Sequence, residues 1–456
     1  MKPDFFRTGA MLLTMLLVTA CSKTDEPFFK SPTGNAETLS KAATKVNAAF
    51  VAHSWMALQL QLIKADVRFT PPVASRTLGL SGFTLYETVV GKLPQYRSIA
   101  AQVGAPPMPA MPNHSVDEAI AANRSLHDLL VSLFVYPGNP LNALVQQKCK
   151  ELYEANSALL TQQVPSSKIS LSEAHGAAVA AAVYAWSATD PVGHQGQMRN
   201  TDPAFSITPW PGMWQPTPPA NALPVQPYWG SVRPFLKANS EGVCVATLPV
   251  AFSTDPQSDF YLEAYEVYEA GLHLTAEQQT IARFWADGGG TITPPGHSIS
   301  IAMQVLQNEE ASLALCAEVY CKTGMAVADA FAACWKAKYT YNLMRPITFI
   351  RQHISAGWSP LITTPPFPAF ASGHSTQSGA AAAVLTSMFG TEYAFTDHTH
   401  DANGFAPRSF SSFDEASMEA AISRLYGGIH YTMDNEEGIA SGRIIGHNIS
   451  RIQFRK

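Results

Sequence analysis

From about Glu37 apolar residues recur at helical intervals: Leu39, Ala43, Val46, Phe50 and Val51 share one face of a 3.6-residue period. The same spacing predicts further helices near His53–Val67, Leu78–Val90, Val116–Phe134, Pro140–Gln163 and Leu171–Ala188. Proline-rich breaks such as Pro106-Pro107-Met108-Pro109 separate several of them. Residues 195–250 depart from the pattern. There Pro203, Pro209, Pro211, Pro216, Pro218, Pro219, Pro224, Pro227 and Pro234 are interleaved with Trp210, Trp214 and Trp229. Flexible spacers are poor in tryptophan, so this stretch predicts a long ordered loop packed on the helices, with the mouth of a site as one place for it. Helical spacing resumes near Asp259 and from Ala276 to Asp287. Gly288 to His297, rich in glycine and proline, predicts a turn, and Ser298–Gln307 and Ala311–Asn342 read as helices. No run of alternating residues predicts a sheet and no internal repeat appears. The class is all-α, helical bundles around a common core.

Composition supports a large core: 456 residues, 46% apolar and only 14% charged. A net charge of −5 with no basic run excludes nucleic acid as a partner. At the N-terminus Lys2 and Arg7 precede an apolar run, Met11 to Val18, too short to span a membrane as a folded helix. The run ends Val18-Thr19-Ala20-Cys21 and resembles a bacterial lipobox, which implies cleavage before Cys21 and lipid on its sulfur. A plain secretory signal is the alternative. On the lipobox reading the chain belongs to the bacterial cell envelope, on the periplasmic or cell-surface side, and meets the membrane only through that anchor. The layout is then a signal peptide (1–20), a polar tether (21–36), an N-terminal helical region (37–250) and a C-terminal helical region (251–456) that carries the candidate chemistry. Cys149, Cys244, Cys316, Cys321 and Cys334 show no metal-ligand spacing and read as structural, with at least one free thiol.

The chemistry gathers in three stretches. In Pro365-Pro366-Phe367-Pro368-Ala369-Phe370-Ala371-Ser372-Gly373-His374 the prolines forbid a helix, while Gln377 to Leu385 is a good helix former. Ser372, Gly373 and His374 therefore sit where a stiff loop becomes a helix, either as an ordinary cap or as an anion site built on free N–H groups. Lys338 and Arg345 are seven residues apart, which puts both on one face if the helix holds that far. Later, Met418, Ala421, Ile422 and Leu425 mark the buried stripe of a helix that also carries Ser423 and Arg424. Gly427-Gly428 ends it, and His430 and Asp434 follow with the spacing of a carboxylate that fixes an imidazole tautomer. Gly438, Gly442 and Gly446 share one face of a final helix and allow close packing. His398-Thr399-His400-Asp401 is a weaker metal-ligand candidate that reads better as a polar loop. His297 either lines the pocket entrance or caps the next helix.

The order Lys338-x6-Arg345-Pro346, Ser372-Gly373-His374, Ser423-Arg424-x5-His430-x3-Asp434 resembles the signature of the vanadium-dependent haloperoxidase and type 2 phosphatidic acid phosphatase superfamily. Ala371 stands where that family often has proline. Trp335, three before Lys338, and Phe367, seven before His374, resemble the haloperoxidase branch, as do Phe284–Asp287, Thr293–His297 and Tyr426–His430. The resemblance implies helical bundles around a central oxyanion site with vanadate as cofactor. Lys338, Arg345, Ser372, Gly373 (through its N–H) and Arg424 would hold vanadate oxygens, and His430 would bind vanadium with Asp434 orienting it. His374 would act as acid and base, and Lys338 would stabilise charge on peroxide. Asp287 would hold one of the arginines, and Trp335 and Phe367 would line the halide path. The implied reaction is oxidation of halide by hydrogen peroxide to hypohalous acid, with iodide or bromide favoured. The same pocket fits an acid phosphatase acting on phosphomonoesters through a phosphohistidine at His430. Membrane phosphatases of the superfamily have spans that this sequence lacks, which favours the peroxidase.

Overall fold

From His53 onward the helices predicted from apolar spacing are present, while the start of the pattern at Glu37 to Asn47 lies outside the described residues. In a computed structural model of the protein, residues 48–112, 115–240, 243, 248 and 250–456 are described. The expected signal peptide and tether, with Cys21, and also Cys244 lie outside them. The N-terminal part forms α1 (Ala49–Ala65), α2 (Pro71–Val90), α3 (Glu118–Phe134), α4 (Asn142–Leu160) and α5 (Ser166–Ala188). After the long loop come α6 (Asp259–Leu272), α7 (Ala276–Phe284), α8 (Thr293–Asn308), α9 (Leu313–Tyr341), α10 (Pro346–His353) and α11 (Gly373–Phe389). A short antiparallel pair, β1 (Phe395–Asp397) and β2 (Arg408–Phe410), precedes α12 (Phe413–Tyr426) and α13 (Thr432–Ser450). The stretch from Gly288 to His297 is a turn only as far as Ile292. Pro294 and Pro295 occupy the first turn of α8, where a missing N–H costs nothing and the fixed φ suits a helix.

The core is organised on α9. From Cys316 to Trp335 every residue of this helix is buried, as a largely apolar helix packed on all sides requires, and its buried Glu318 and Lys322 pair with each other at 2.6 Å. Helix α2 lies along one side of it and α11, α8 and α13 along others, so the regions before and after residue 250 share one core. Two of these contacts depend on glycine. A Cβ at Gly442 of α13 would lie 2.2 Å from the Thr376 carbonyl of α11, and one at Gly446 would lie 2.4 Å from the Ala380 carbonyl. The α11–α13 pair therefore packs backbone against backbone, as the glycine face predicts. This closeness brings the start of α11, at Ser372, against the start of α13, at Asp434: the Ser372 N–H donates to the Asp434 carbonyl at 3.0 Å.

The buried face of α12 differs from the predicted stripe. Met418 is exposed, and the buried residues include Ala416, Ser417, Ala420, Ala421, Ser423 and Arg424. The face is rotated because Arg424 points inward. Residues 195–250 contain no α-helix among those described, yet Trp214 and Trp229 are buried, as an ordered loop requires. Cys149, Cys316, Cys321 and Cys334 are buried free thiols. No helix among the described residues is long and apolar enough to cross a membrane.

Candidate active site

Lys338 sits one turn from the end of α9. The helix stops at Tyr341, Asn342 takes a left-handed conformation, and Arg345 caps α10. Lys338 and Arg345 therefore do not share a helix face. The chain break brings them together instead: the Phe367 ring lies 5.1 Å from the Lys338 ammonium and 4.9 Å from the Arg345 guanidinium. Trp335 completes this wall, its ring 4.8 Å from Phe367 and 5.6 Å from the Lys338 Nζ. The loop before α11 supplies carbonyls. Lys338 Nζ donates to Pro368, Ala369 and Ala371 at 2.9, 2.8 and 2.5 Å, and Arg345 Nε donates to Phe367 at 2.7 Å. Ala371 thus contributes a carbonyl, for which its side chain is immaterial. The long loop is laced to the same wall, with the Val225 carbonyl accepting from Trp335 Nε1 and the Tyr339 hydroxyl at 3.2 and 2.6 Å.

Ser372 caps α11, its hydroxyl accepting from the Ser375 N–H, and Gly373 and His374 are the first helical residues. Their N–H groups have no acceptor within the helix. Opposite, His430 precedes α13. Its Nδ1 faces Asp434 Oδ2 at 2.8 Å and its Nε2 faces Arg345 Nη1 at 3.0 Å. A guanidinium only donates, so Nε2 is the acceptor and Nδ1 carries the proton. Arg345 Nη1 also donates to the Ile429 carbonyl at 2.8 Å. Arg424 Nη2 donates to the carbonyls of Trp285 and Ala282 at 2.6 and 3.3 Å, and its Nε to the Ser423 hydroxyl at 3.0 Å.

Lys338, Arg345 and Arg424 are at most 1% exposed, so three cations are gathered out of water. No carboxylate is among the hydrogen-bond partners of either arginine given above. Burial lowers Arg345 to about 10 and Arg424 to about 9. Burial, then Arg345, Lys338 and Arg424, hold His430 well below the usual imidazole range. Burial and Arg424 do the same to His374, opposed by Asp287 and by a hydrogen bond to the Trp285 backbone. Burial pushes Asp434 up to about 7, with Lys338, Arg345 and the Tyr431 N–H pulling it back. The shifts of the arginines and histidines are what a buried positive pocket produces before an anion enters it, whereas that of Asp434 comes from burial against the pull of the cations. Two buried atoms mark where that anion would bind: Arg345 Nη2 and His374 Nε2 have neither solvent nor a hydrogen-bond partner. The donor set fits a tetrahedral oxyanion, and neutral His430 fits a metal centre within it, since its lone pair is on the nitrogen turned away from Asp434.

Asp287 does not bond an arginine. Its carboxylate takes His297 Nδ1 at 2.8 Å and His400 Nε2 at 3.0 Å, and it acts on Arg424 only through its charge. His297 is neither a lining residue nor a cap: it is buried, with its Nε2 held by Asp397 Oδ2 at 2.6 Å. In the stretch 398–401, His398 is exposed with Asp401, while His400 turns inward. Asp287, His297 and His400 place ligand atoms within 4.8 Å of one another. Each imidazole, however, takes its own oxygen of Asp287, and Asn403 sits on the remaining His400 nitrogen at 2.8 Å. This is hydrogen bonding rather than the convergence of lone pairs on one point. Asp397 and the carbonyls of Trp285 and Ile429 escaped the sequence reading. Backbone carbonyls leave no sequence signal, and Asp397 had only its place beside two histidines.

The family model for the second helical-bundle domain of VCPO matches residues 318–455, which span every signature residue above. No curated protein matches the sequence. Among solved structures, the crystal structure of the first bacterial vanadium-dependent iodoperoxidase is 33% identical, with a TM-score of 0.80. That match covers 89% of this chain and 97% of the iodoperoxidase. A holo-type bacterial vanadium-dependent chloroperoxidase is 14% identical over 84% of this chain and 92% of its own, with a TM-score of 0.60. The apo-type chloroperoxidase gives the same identity and TM-score over 85% and 95%. The chloroperoxidases share the fold.

Proposed function

The chain belongs to the vanadium-dependent haloperoxidase family, and from that premise we propose that it oxidises halide with hydrogen peroxide to hypohalous acid, iodide and bromide being favoured. Lys338, Arg345, Ser372, Gly373 and Arg424 would hold the oxygens of vanadate and His430 its vanadium. Bound vanadate supplies a Lewis-acid centre that draws electron density from peroxide and so opens it to halide attack. The observation that carries the reading is the state of His430. Its proton lies toward Asp434, its other nitrogen is an acceptor, and beside it a buried guanidinium nitrogen has no partner.

The remaining chemistry is proton handling. Halide, peroxide and one proton give hypohalous acid and water, so each turnover consumes a proton. His374 is neutral near pH 7 because burial and Arg424 disfavour its cation. With one nitrogen on the Trp285 backbone, its unpartnered Nε2 is the base that takes a proton from peroxide and returns it to the leaving oxygen. Lys338, fixed by three carbonyls, keeps a positive charge beside the same oxygens.

The test is an assay of the vanadate-free protein to which vanadate, hydrogen peroxide and each halide are added in turn, with a phosphomonoester assay alongside. Halide oxidation should require vanadate and be competed by phosphate, which has the same charge and shape. Peroxidase activity that survives exhaustive vanadate removal, or phosphatase activity alone, would overturn the reading. For the N-terminus, the run Met11–Val18 followed by Cys21 supports a lipid anchor in the cell envelope. Cys21→Ser should release the protein from membranes, and wild type without lipid mass would refute the anchor.

A further inference from the structure

A second buried network lies behind the oxyanion pocket. His297 faces Asp287 Oδ2 at 2.8 Å and Asp397 Oδ2 at 2.6 Å, so both ring nitrogens donate to carboxylates. The second oxygen of Asp287 takes His400, and the second oxygen of Asp397 takes the Thr399 N–H at 2.9 Å. All four side chains are at most 4% exposed. The network joins three pieces of chain: the turn between α7 and α8, the N-terminal part of α8, and the end of β1 with the loop that follows it.

That α7–α8 turn is also where the pocket is suspended. The Trp285 carbonyl accepts from Arg424 of α12 at 2.6 Å, and His374 of α11 bonds the same residue's backbone. Two pocket side chains on different helices are thus referred to one peptide unit. The unit is held from three sides. The Trp285 ring stacks on His297, with centroids 4.5 Å apart and planes 18° apart, and its indole N–H donates to Glu419 at 2.9 Å. Two residues on, Asp287 is in a left-handed conformation, φ 42°, that its bonds to His297 and His400 retain.

We propose that His297, clamped between Asp287 and Asp397, is a positioning residue that sets the placement of His374 and Arg424 through the Trp285–Asp287 turn. It touches neither peroxide nor vanadate. It acts by stacking under Trp285 and by gripping Asp287, so that the Trp285 carbonyl meets the imidazole of one helix and the guanidinium of another. Asp397 is the far jaw of the clamp: it holds the imidazole in the plane that Trp285 requires. The proposal rests on the vanadate-site reading given above.

Two variants and two measurements test it. Asp397→Asn keeps an acceptor for His297 but removes the charge that grips it. His297→Gln removes the imidazole under Trp285. Vanadate affinity of the purified protein, measured by titration calorimetry, reports on Arg424. kcat and KM for hydrogen peroxide at saturating vanadate report on His374. Vanadate should bind about ten-fold more weakly to both variants, the scale found for residues that orient a metal's ligands. At saturating vanadate kcat should remain lowered, which a loss of stability alone would not cause. Should His297→Gln fail to fold, Asp397→Asn decides. Folded variants with unchanged vanadate affinity and unchanged kcat would overturn the proposal. Wild type that binds no vanadate would instead sink the site reading, and this inference with it.

Discussion

Arg345 donates from Nη1 to His430 Nε2 across 3.0 Å, while the other face of that imidazole is fixed by Asp434 at 2.8 Å. The pair fixes the tautomer from both sides. It also marks Nε2 as the acceptor nitrogen, beside which Arg345 keeps a further buried N–H, on Nη2, unpartnered.

The two histidines should separate cleanly on mutation. His430→Ala should lose bound vanadium, because the imidazole poised as an acceptor beside Arg345 is gone. His374→Ala should retain vanadium and lose turnover by about two to four orders of magnitude, the range for a missing acid–base group. Metal analysis of both purified proteins, with kcat alongside, decides the matter. Equal loss of metal in the two would reverse the assignment of roles.

Stability should depend on pH in two opposed ways. Folded His374 and His430 are held well below 6.5, so at falling pH the unfolded chain takes up protons that the native state refuses. Their effect is to destabilise the vanadate-free protein progressively below about pH 6.5. His297 has the opposite sign. Burial opposes its charge, but Asp287 and Asp397 raise it from 6.5 to about 10. Its contribution is fully present below 6.5 and is lost as pH rises through about 10. In denaturant titrations the advantage of wild type over His297→Gln should therefore narrow between those two values. A gap that widens with rising pH would contradict a charged His297.

Gly442→Ala should cost about 1–3 kcal/mol, the usual penalty for a methyl forced into a packed contact. The added Cβ would lie 2.2 Å from a backbone oxygen of α11, which no side-chain rotation can relieve. Because α11 begins at Ser372 and α13 carries Asp434, vanadate affinity should fall together with Tm. A variant as stable as wild type would mean that the helices separate without consequence for the core.

Iodide should be the best halide, bromide weaker and chloride the poorest. Iodide gives up electrons most easily and needs the least polarised peroxide. The check is kcat/KM for the three halides at matched pH and peroxide, which compares transition-state stabilisation directly. Chloride equal to or above iodide would refute it. Phe367→His should shift the ratios, because that ring lies within 5.1 Å of the Lys338 ammonium and against Trp335.

The sequence by itself determined the described helices from α1 onward, the loop-to-helix start at Ser372 and the glycine face of α13, and it named the candidate pocket residues. These are local: periodicity, proline and glycine act within a few residues, and the signature positions carry side chains that have few bland uses together. Tertiary structure decided the rest. Lys338 and Arg345 meet because α9 breaks at Asn342, where seven-residue spacing alone suggested a continuous helix. Arg424 turns inward and rotates the buried face of α12, since a buried guanidinium needs the carbonyls of Trp285 and Ala282. Asp287 serves His297 and His400 rather than an arginine, and Asp397, 100 residues from His297, closes that network. Such partners are chosen by burial and by which donor reaches which oxygen, and those are properties of the packed chain that no spacing along it encodes.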